Sequence, residues 1–146
     1  MPQFEINLVA VLVAVVANFI FGFLWYTPLF GKRWGREMGF DMTQPPPKGA
    51  MAKGLIIMVI GNFLMAWVFA HNLAVWDPAT WGQTPTEPMN DFMFAGTAAL
   101  FTWLGFYVPV DLNAIAWEQK SWTLFFINTF YHLLSLVIAG LILVMM

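Results

Sequence analysis

Long apolar runs alternate along this chain with short polar, proline-containing stretches, and the alternation predicts four membrane-crossing helices. A helix needs about 20 apolar residues to cross a hydrocarbon core of about 30 Å. The runs at residues 6–29, 53–74, 91–112 and 122–146 meet that length, leaving loops at 30–52, 75–90 and 113–121. The expected fold class is all-α: one integral membrane domain, a four-transmembrane-helix bundle with antiparallel neighbours and both termini on the same, outer side. The longest loop is too short for a soluble catalytic domain. Pro28 and Gly31 are expected to stop the first helix, and Pro109 to kink or end the third near its inner end. Pro45-Pro46-Pro47 predicts a stiff, extended approach to the second helix. The stretch Trp76, Asp77-Pro78, Trp81-Gly82, Pro85 and Pro88 predicts turns.

Each run carries a polar residue close to its midpoint: Asn18, Asn62, Thr102, and Asn128 with His132. At a rise of about 1.5 Å per residue, Asn18 lies about 18 Å into its span, Asn62 about 14 Å and His132 about 15 Å. Asn128, His132 and Ser135 share one face of the fourth span, at i, i+4 and i+7. Asn7, Ala14, Asn18 and Gly22 line up on the first, and Ala95, Ala98, Thr102 and Gly105 on the third. Small and polar stripes are the usual contact surface between membrane helices, which predicts the inward faces. Two readings of this layer stand side by side. As packing devices, such hydrogen bonds contribute about 0.6 kcal/mol on average. As a site, the layer centres on His132, which titrates near neutral pH and is costly to charge at that depth. A neutral imidazole bonded to an asparagine is the plainer form of His132.

Composition fixes the solvent. Hydrophobic residues make up 60% of the chain and charged residues 10%, with a mean hydropathy of +0.72, outside the range of soluble domains. The net charge of −2 matters less than its placement. Lys32, Arg33, Arg36, Lys48 and Lys53 cluster between the first two spans, and Lys120 lies between the last two. The remaining connection holds Asp77, Glu87 and, at its edge, Asp91. Basic excess in short loops marks the cytoplasmic side, so both termini are expected on the outer side of the membrane. The first span lacks a basic n-region and a small-residue cleavage site, and is expected to be retained. Trp25, Tyr26, Lys32, Arg33, Arg36, Trp76, Trp81, Trp117 and Trp122 fall at the span ends, as interfacial anchors do.

The chemistry is sparse. Zero cysteines exclude disulfides and thiolate metal sites. His71 and His132 should differ in depth by roughly 10 Å, which argues against a shared metal. Only Ser121 and Ser135 could serve as serine nucleophiles, and no nucleophile elbow, paired carboxylates or phosphate loop is present. The short basic stretch 32–36 does not argue for nucleic acid. Asp111 reads either as an interfacial carboxylate paired with a base of the first loop, or as the inner mouth of a path toward His132. A single histidine can ligate a haem or chlorophyll-type pigment, but alone it is weak evidence, and no cofactor or metal is predicted. Gly22-Phe23 with Tyr26 and Pro28 is loosely echoed by Gly105-Phe106-Tyr107 and Pro109, as in a repeated helical hairpin.

An ordered set of residues carries a resemblance. It comprises Trp25-Tyr26-Thr27-Pro28, Gly31-Lys32, Trp34 and Met38-Gly39, then Trp103-Leu104-Gly105-Phe106 with Pro109 and Glu118. Ile127-Asn128, Tyr131, Ser135 and Gly140 complete it. With these, the chain resembles the small bacterial four-helix membrane proteins grouped as domain of unknown function 1761, over nearly its whole length. The resemblance departs at His132, where a basic residue such as arginine is expected, and at Pro45–Pro47. It implies a four-span fold and supplies no activity, so no catalytic residue carries over. Three functions remain. One is a non-catalytic structural or accessory subunit that self-associates or joins a larger membrane complex. The next is an oligomeric transporter or proton/ion channel lined by Asn18, Asn62, Asn128 and His132. The last is a pigment-binding or lipid-modifying protein using His132. The lipid bilayer and other membrane subunits, including further copies of the chain, are the expected partners.

Overall fold

A computed structural model describes residues 5–41, 43–45, 47–84 and 89–146. Pro46, Pro85, Glu87 and Pro88, which entered the loop readings above, lie outside the described residues. Among the described residues the chain is all helical. The elements are α1 (Leu8–Leu24), α2 (Gly31–Glu37), α3 (Ala50–Trp76), α4 (Asp91–Thr102), α5 (Val108–Glu118) and α6 (Trp122–Met145). Four segments are long and apolar enough to cross a membrane: Leu8–Leu29, Ala50–Trp76, Asp91–Glu118 and Trp122–Met145. Their length and apolar character mark a membrane protein.

Polar side chains start the helices. Asn7 Oδ1 accepts from the backbone N–H groups of Val9 and Ala10, Asn90 Oδ1 from that of Met93, and Ser121 Oγ from that of Leu124. Each satisfies amides that have no partner within the first turn. Asn7 also donates through Nδ2 to the Met146 carbonyl (3.2 Å), tying the start of α1 to the end of α6.

Two wide turns separate this fold from four plain helices. Residues Trp25–Leu29 and Trp103–Tyr107 each form a π-helical turn, closed by Phe30 N–H on the Trp25 carbonyl and Val108 N–H on the Trp103 carbonyl. Pro28 lies inside the first and Pro109 just beyond the second. A proline cannot donate to the carbonyl four residues back, and its ring crowds that carbonyl. The wider turn relieves the crowding, so the helix passes through Pro109 instead of ending. The third span therefore continues to Glu118, beyond the expected end at 112. There Gln119 closes α5 in the left-handed conformation (φ 55°). The loosely repeated Gly-Phe-Tyr-Pro tracts coincide with the two π turns.

The first loop is not irregular throughout, since α2 occupies Gly31–Glu37 and packs on the start of α6. Ser121 Oγ donates to the Glu37 carboxylate, and Arg33 reaches Thr123. Gly31 is required at the joint. A Cβ there would stand 2.6 Å from the Tyr26 carbonyl oxygen, a backbone atom that cannot swing aside. Gly31→Ala is expected to destabilise the α1–α2 joint by about 2 kcal/mol. Faster proteolysis within 31–40, with the spans intact in detergent, is the measurable sign. Farther along, Asp41 accepts from the Thr43 N–H (2.9 Å) and hydroxyl (2.6 Å), which hold its carboxyl below the usual carboxylate range. With its folded pKa depressed, this turn is favoured above the ordinary carboxylate pKa and loses that preference as pH falls through the folded value.

α6 is the hub, touching α1, α3, α4 and α5, while α1 also packs on α3. The interior is built from small side chains: Ala10 and Ala14, Ala66 and Ala70, Ala95 and Ala99, Ala139 and Gly140. Phe69 and Leu136 are the largest apolar groups enclosed. The outside carries bulky apolar groups such as Leu12, Ile56, Phe101 and Phe106, all exposed. Small within and large apolar without is the arrangement of helices solvated by hydrocarbon, where close backbone approach drives association. Of the stripe expected on the first span, Ala14, Asn18 and Gly22 are buried, while Asn7 is exposed at the helix start. On the third span the inward row is Ala95 and Ala99, while Gly105 faces outward with open space around it.

Candidate functional site

The polar layer divides into a seam and a site. On the seam, Asn18 is fully enclosed and donates through Nδ2 to the Ser135 carbonyl (3.2 Å). The first residue of each π turn reinforces it. Trp25 Nε1 donates to the Ile127 carbonyl (3.0 Å), and Trp103 Nε1 to the Thr129 carbonyl (2.7 Å) and hydroxyl (3.0 Å). Both indoles thus use spare lone pairs on carbonyls of α6, fixing the first and third spans against it. In a medium without water these are among the few ways to anchor an indole N–H. Tyr26 donates to Asn128 Oδ1 (3.2 Å), so Asn128 serves the α1–α6 contact and is not the partner of His132.

His132 instead faces a carboxylate. Its Nε2 lies 3.9 Å from Asp111 Oδ1, with the two side chains 30% and 16% exposed. Among the described residues Asp111 has no base of the first loop as its partner; it faces His132 directly. It sits beside His132 because α5 continues beyond Pro109. The pair lies about 10 Å from the Glu118 end of α5 and about 15 Å from the Trp122 end of α6, well inside both spans.

Aromatic hydroxyls surround it. All three tyrosines of the chain gather here: the Tyr107 ring lies tilted against the His132 ring with centroids 4.6 Å apart, and Tyr131 meets Tyr26 at 4.9 Å. Gly22 makes the space, since a Cβ there would come within 2.9 Å of the Tyr131 hydroxyl. A cleft of about 240 Å³ opens beside the pair. α3 supplies one wall with Met58, Gly61, Asn62 and Met65; Tyr107 and α6 supply the other with Tyr131, His132, Ser135 and Leu136.

Each polar position expected from the sequence now has a place. Asn62, His132 and Ser135 line the cleft, Asp111 stands behind His132, and Asn18 and Asn128 hold helices together. Thr102 is half-buried, at the edge of the assembly, and the residue after it makes the contact the layer seemed to require. Trp25 and Tyr26 are half-buried and hydrogen-bonded to α6, while Trp76, Trp81, Trp117 and Trp122 are exposed, as are Lys32, Arg33 and Arg36. Tyr107, Tyr131, Trp103 and Thr129 were missed in the midplane layer. The available signal was scarcity: three tyrosines against fifteen phenylalanines, with two of the three hydroxyls well inside apolar runs.

His132 and Ser135 border the same cleft, yet among the described residues no hydrogen bond joins them. Activating a serine requires such a bond, at about 2.6–3.2 Å. Among the described residues no group of three or more His, Cys, Asp or Glu side chains could hold a metal. The arrangement is suited to binding and to holding a proton. The family described as Protein of unknown function (DUF1761) matches residues 9–144. No curated protein and no solved structure matches.

Proposed function

This chain belongs to the DUF1761 family, and we propose that it is a non-catalytic membrane subunit whose Asp111–His132 pair takes up and releases a proton inside the bilayer. The 3.9 Å approach of two ionisable groups within the spans carries this reading. Such groups are costly in hydrocarbon and are retained there chiefly for function. In this reading the four spans form an antiparallel bundle in a bacterial inner membrane. The tie between Asn7 and Met146 supports both termini on one side, and basic loops facing the cytoplasm would make that the outer side. Proton uptake changes the charge beside the cleft, and with it what the cleft accepts. A continuous pore through one copy is the weaker reading, because Asn18 is fully enclosed in the seam.

Nitrogen NMR on selectively labelled histidine tests the reading. The chain has two histidines, so His71→Gln isolates the signal of His132. In lipid nanodiscs the His132 imidazole is expected to titrate, and Asp111→Asn is expected to move its midpoint. A His132 signal that ignores pH, or a midpoint indifferent to Asp111, would sink the proposal.

A further inference from the structure

The cleft beside the pair contains a group that the fold leaves unused. Asn62 is 8% exposed, and among the described residues its side-chain amide makes no hydrogen bond; Nδ2 is fully enclosed. An amide left unpaired in such surroundings is costly, because the hydrogen bonds it loses to water are not replaced. The other asparagines of the layer are engaged with α6 or Tyr26. Asn62 is not, and it lines the cleft together with Gly61, Met58 and Met65.

The shape and depth limit what can satisfy it. Gly61 leaves the α3 wall flat, since a Cβ there would meet nothing within 4 Å. The methionines above and below give a pliable apolar surface. A volume of about 240 Å³ admits part of one small amphiphile but not a helix, whose diameter is about 10 Å. Asn62 lies about 18 Å from the start of α3, deeper than the ester groups of bulk phospholipids, which stay at the interface. The partner oxygen must therefore belong to a molecule that dissolves in the membrane interior. A neutral head group fits the resting cleft: Asp111 is behind His132 and does not line it, so a cation has no direct counter-ion there, and an anion has one only while His132 is protonated.

We propose that the cleft between α3 and α6 binds a neutral, membrane-dissolved amphiphile through a hydroxyl that donates to Asn62 Oδ1, with the His132 ring as the opposing wall. This rests on the reading of Asp111–His132 as a membrane-embedded pair, and it names the ligand class for that site.

Photolabelling of the full chain in nanodiscs tests it. Three photoreactive alkyl probes of equal chain length are compared, ending in hydroxyl, carboxylate or methyl. The hydroxyl probe is expected to label the peptides carrying Met58–Met65 and Leu136 most strongly. Asn62→Leu is expected to lower that labelling about fivefold, to the level of the methyl probe. Gly61→Leu, which fills the cleft from an uncrowded position, is expected to exclude all three probes, so the test does not depend on the folding of one variant. Equal labelling by the three probes, preference for the carboxylate, or indifference to Asn62→Leu would overturn the proposal. So would crosslinking of these residues to a second copy of the chain in place of any probe. Labelling that survives alongside an unresponsive His132 titration would remove the proton function and keep the ligand. The reverse pairing of results would do the opposite.

Discussion

Gly140→Leu is expected to lower the stability of the folded chain by about 3 kcal/mol, more than any single change at the seam. Gly140 lies where α6 meets α3 and α4. A Cβ there would stand 3.2 Å from the Phe69 ring, and 3.4 Å from both the methyl and the carbonyl oxygen of Ala95. A leucine would push three more carbons into that junction and force the helices apart. Dispersion contacts fall off steeply with separation, and in hydrocarbon no hydrophobic force compensates their loss. Unfolding in mixed micelles, followed by the near-ultraviolet signal of the buried aromatics, measures the effect. Gly54→Leu is the control, because a Cβ at Gly54 meets nothing within 4 Å. Equal stability of the two variants would show that the α3–α4–α6 junction is not closely packed.

The second large effect is expected at the ionisable pair. His132→Leu leaves the Asp111 carboxylate without its partner in apolar surroundings. Removing one member of a buried pair costs about 3–5 kcal/mol; both side chains here keep partial exposure, so about 2 kcal/mol is expected. Replacing both members by leucine should recover most of the loss, since the cost comes from the stranded charge and not from missing contact area. A double-mutant cycle in mixed micelles separates the two causes. Strict additivity of the single losses would mean that the groups are neighbours without energetic coupling. Recovery in the double variant would also make the pair costly to keep for stability alone, in line with retention for function.

The spans were legible because their cause is local. Twenty consecutive apolar residues need a helix in hydrocarbon whatever surrounds them, since no water is present to satisfy a free backbone. The small and polar row of Ala14, Asn18 and Gly22 was legible for a similar reason: helical spacing alone places it on one face. The site was less so. Depth reckoned along single helices left Asp111 at a span end, remote from His132. That reckoning ended the third span at 112, whereas a π turn before Pro109 lets the helix run on to Glu118.

The sequence by itself determined the number of crossing helices, their approximate bounds and the surplus of polar groups that an apolar solvent would not leave unpaired. Those properties follow from each residue and its near neighbours. Only the tertiary structure decided the partners: Asn18 and Asn128 for packing, Asp111 for His132 and, among the described residues, none for Asn62. Pairing across helices depends on their relative rotation and offset, which the two π turns reset and the α6 carbonyls lock. No pattern within a single helix encodes that offset, so the layer at the middle of the bundle acquires its meaning only when the helices meet.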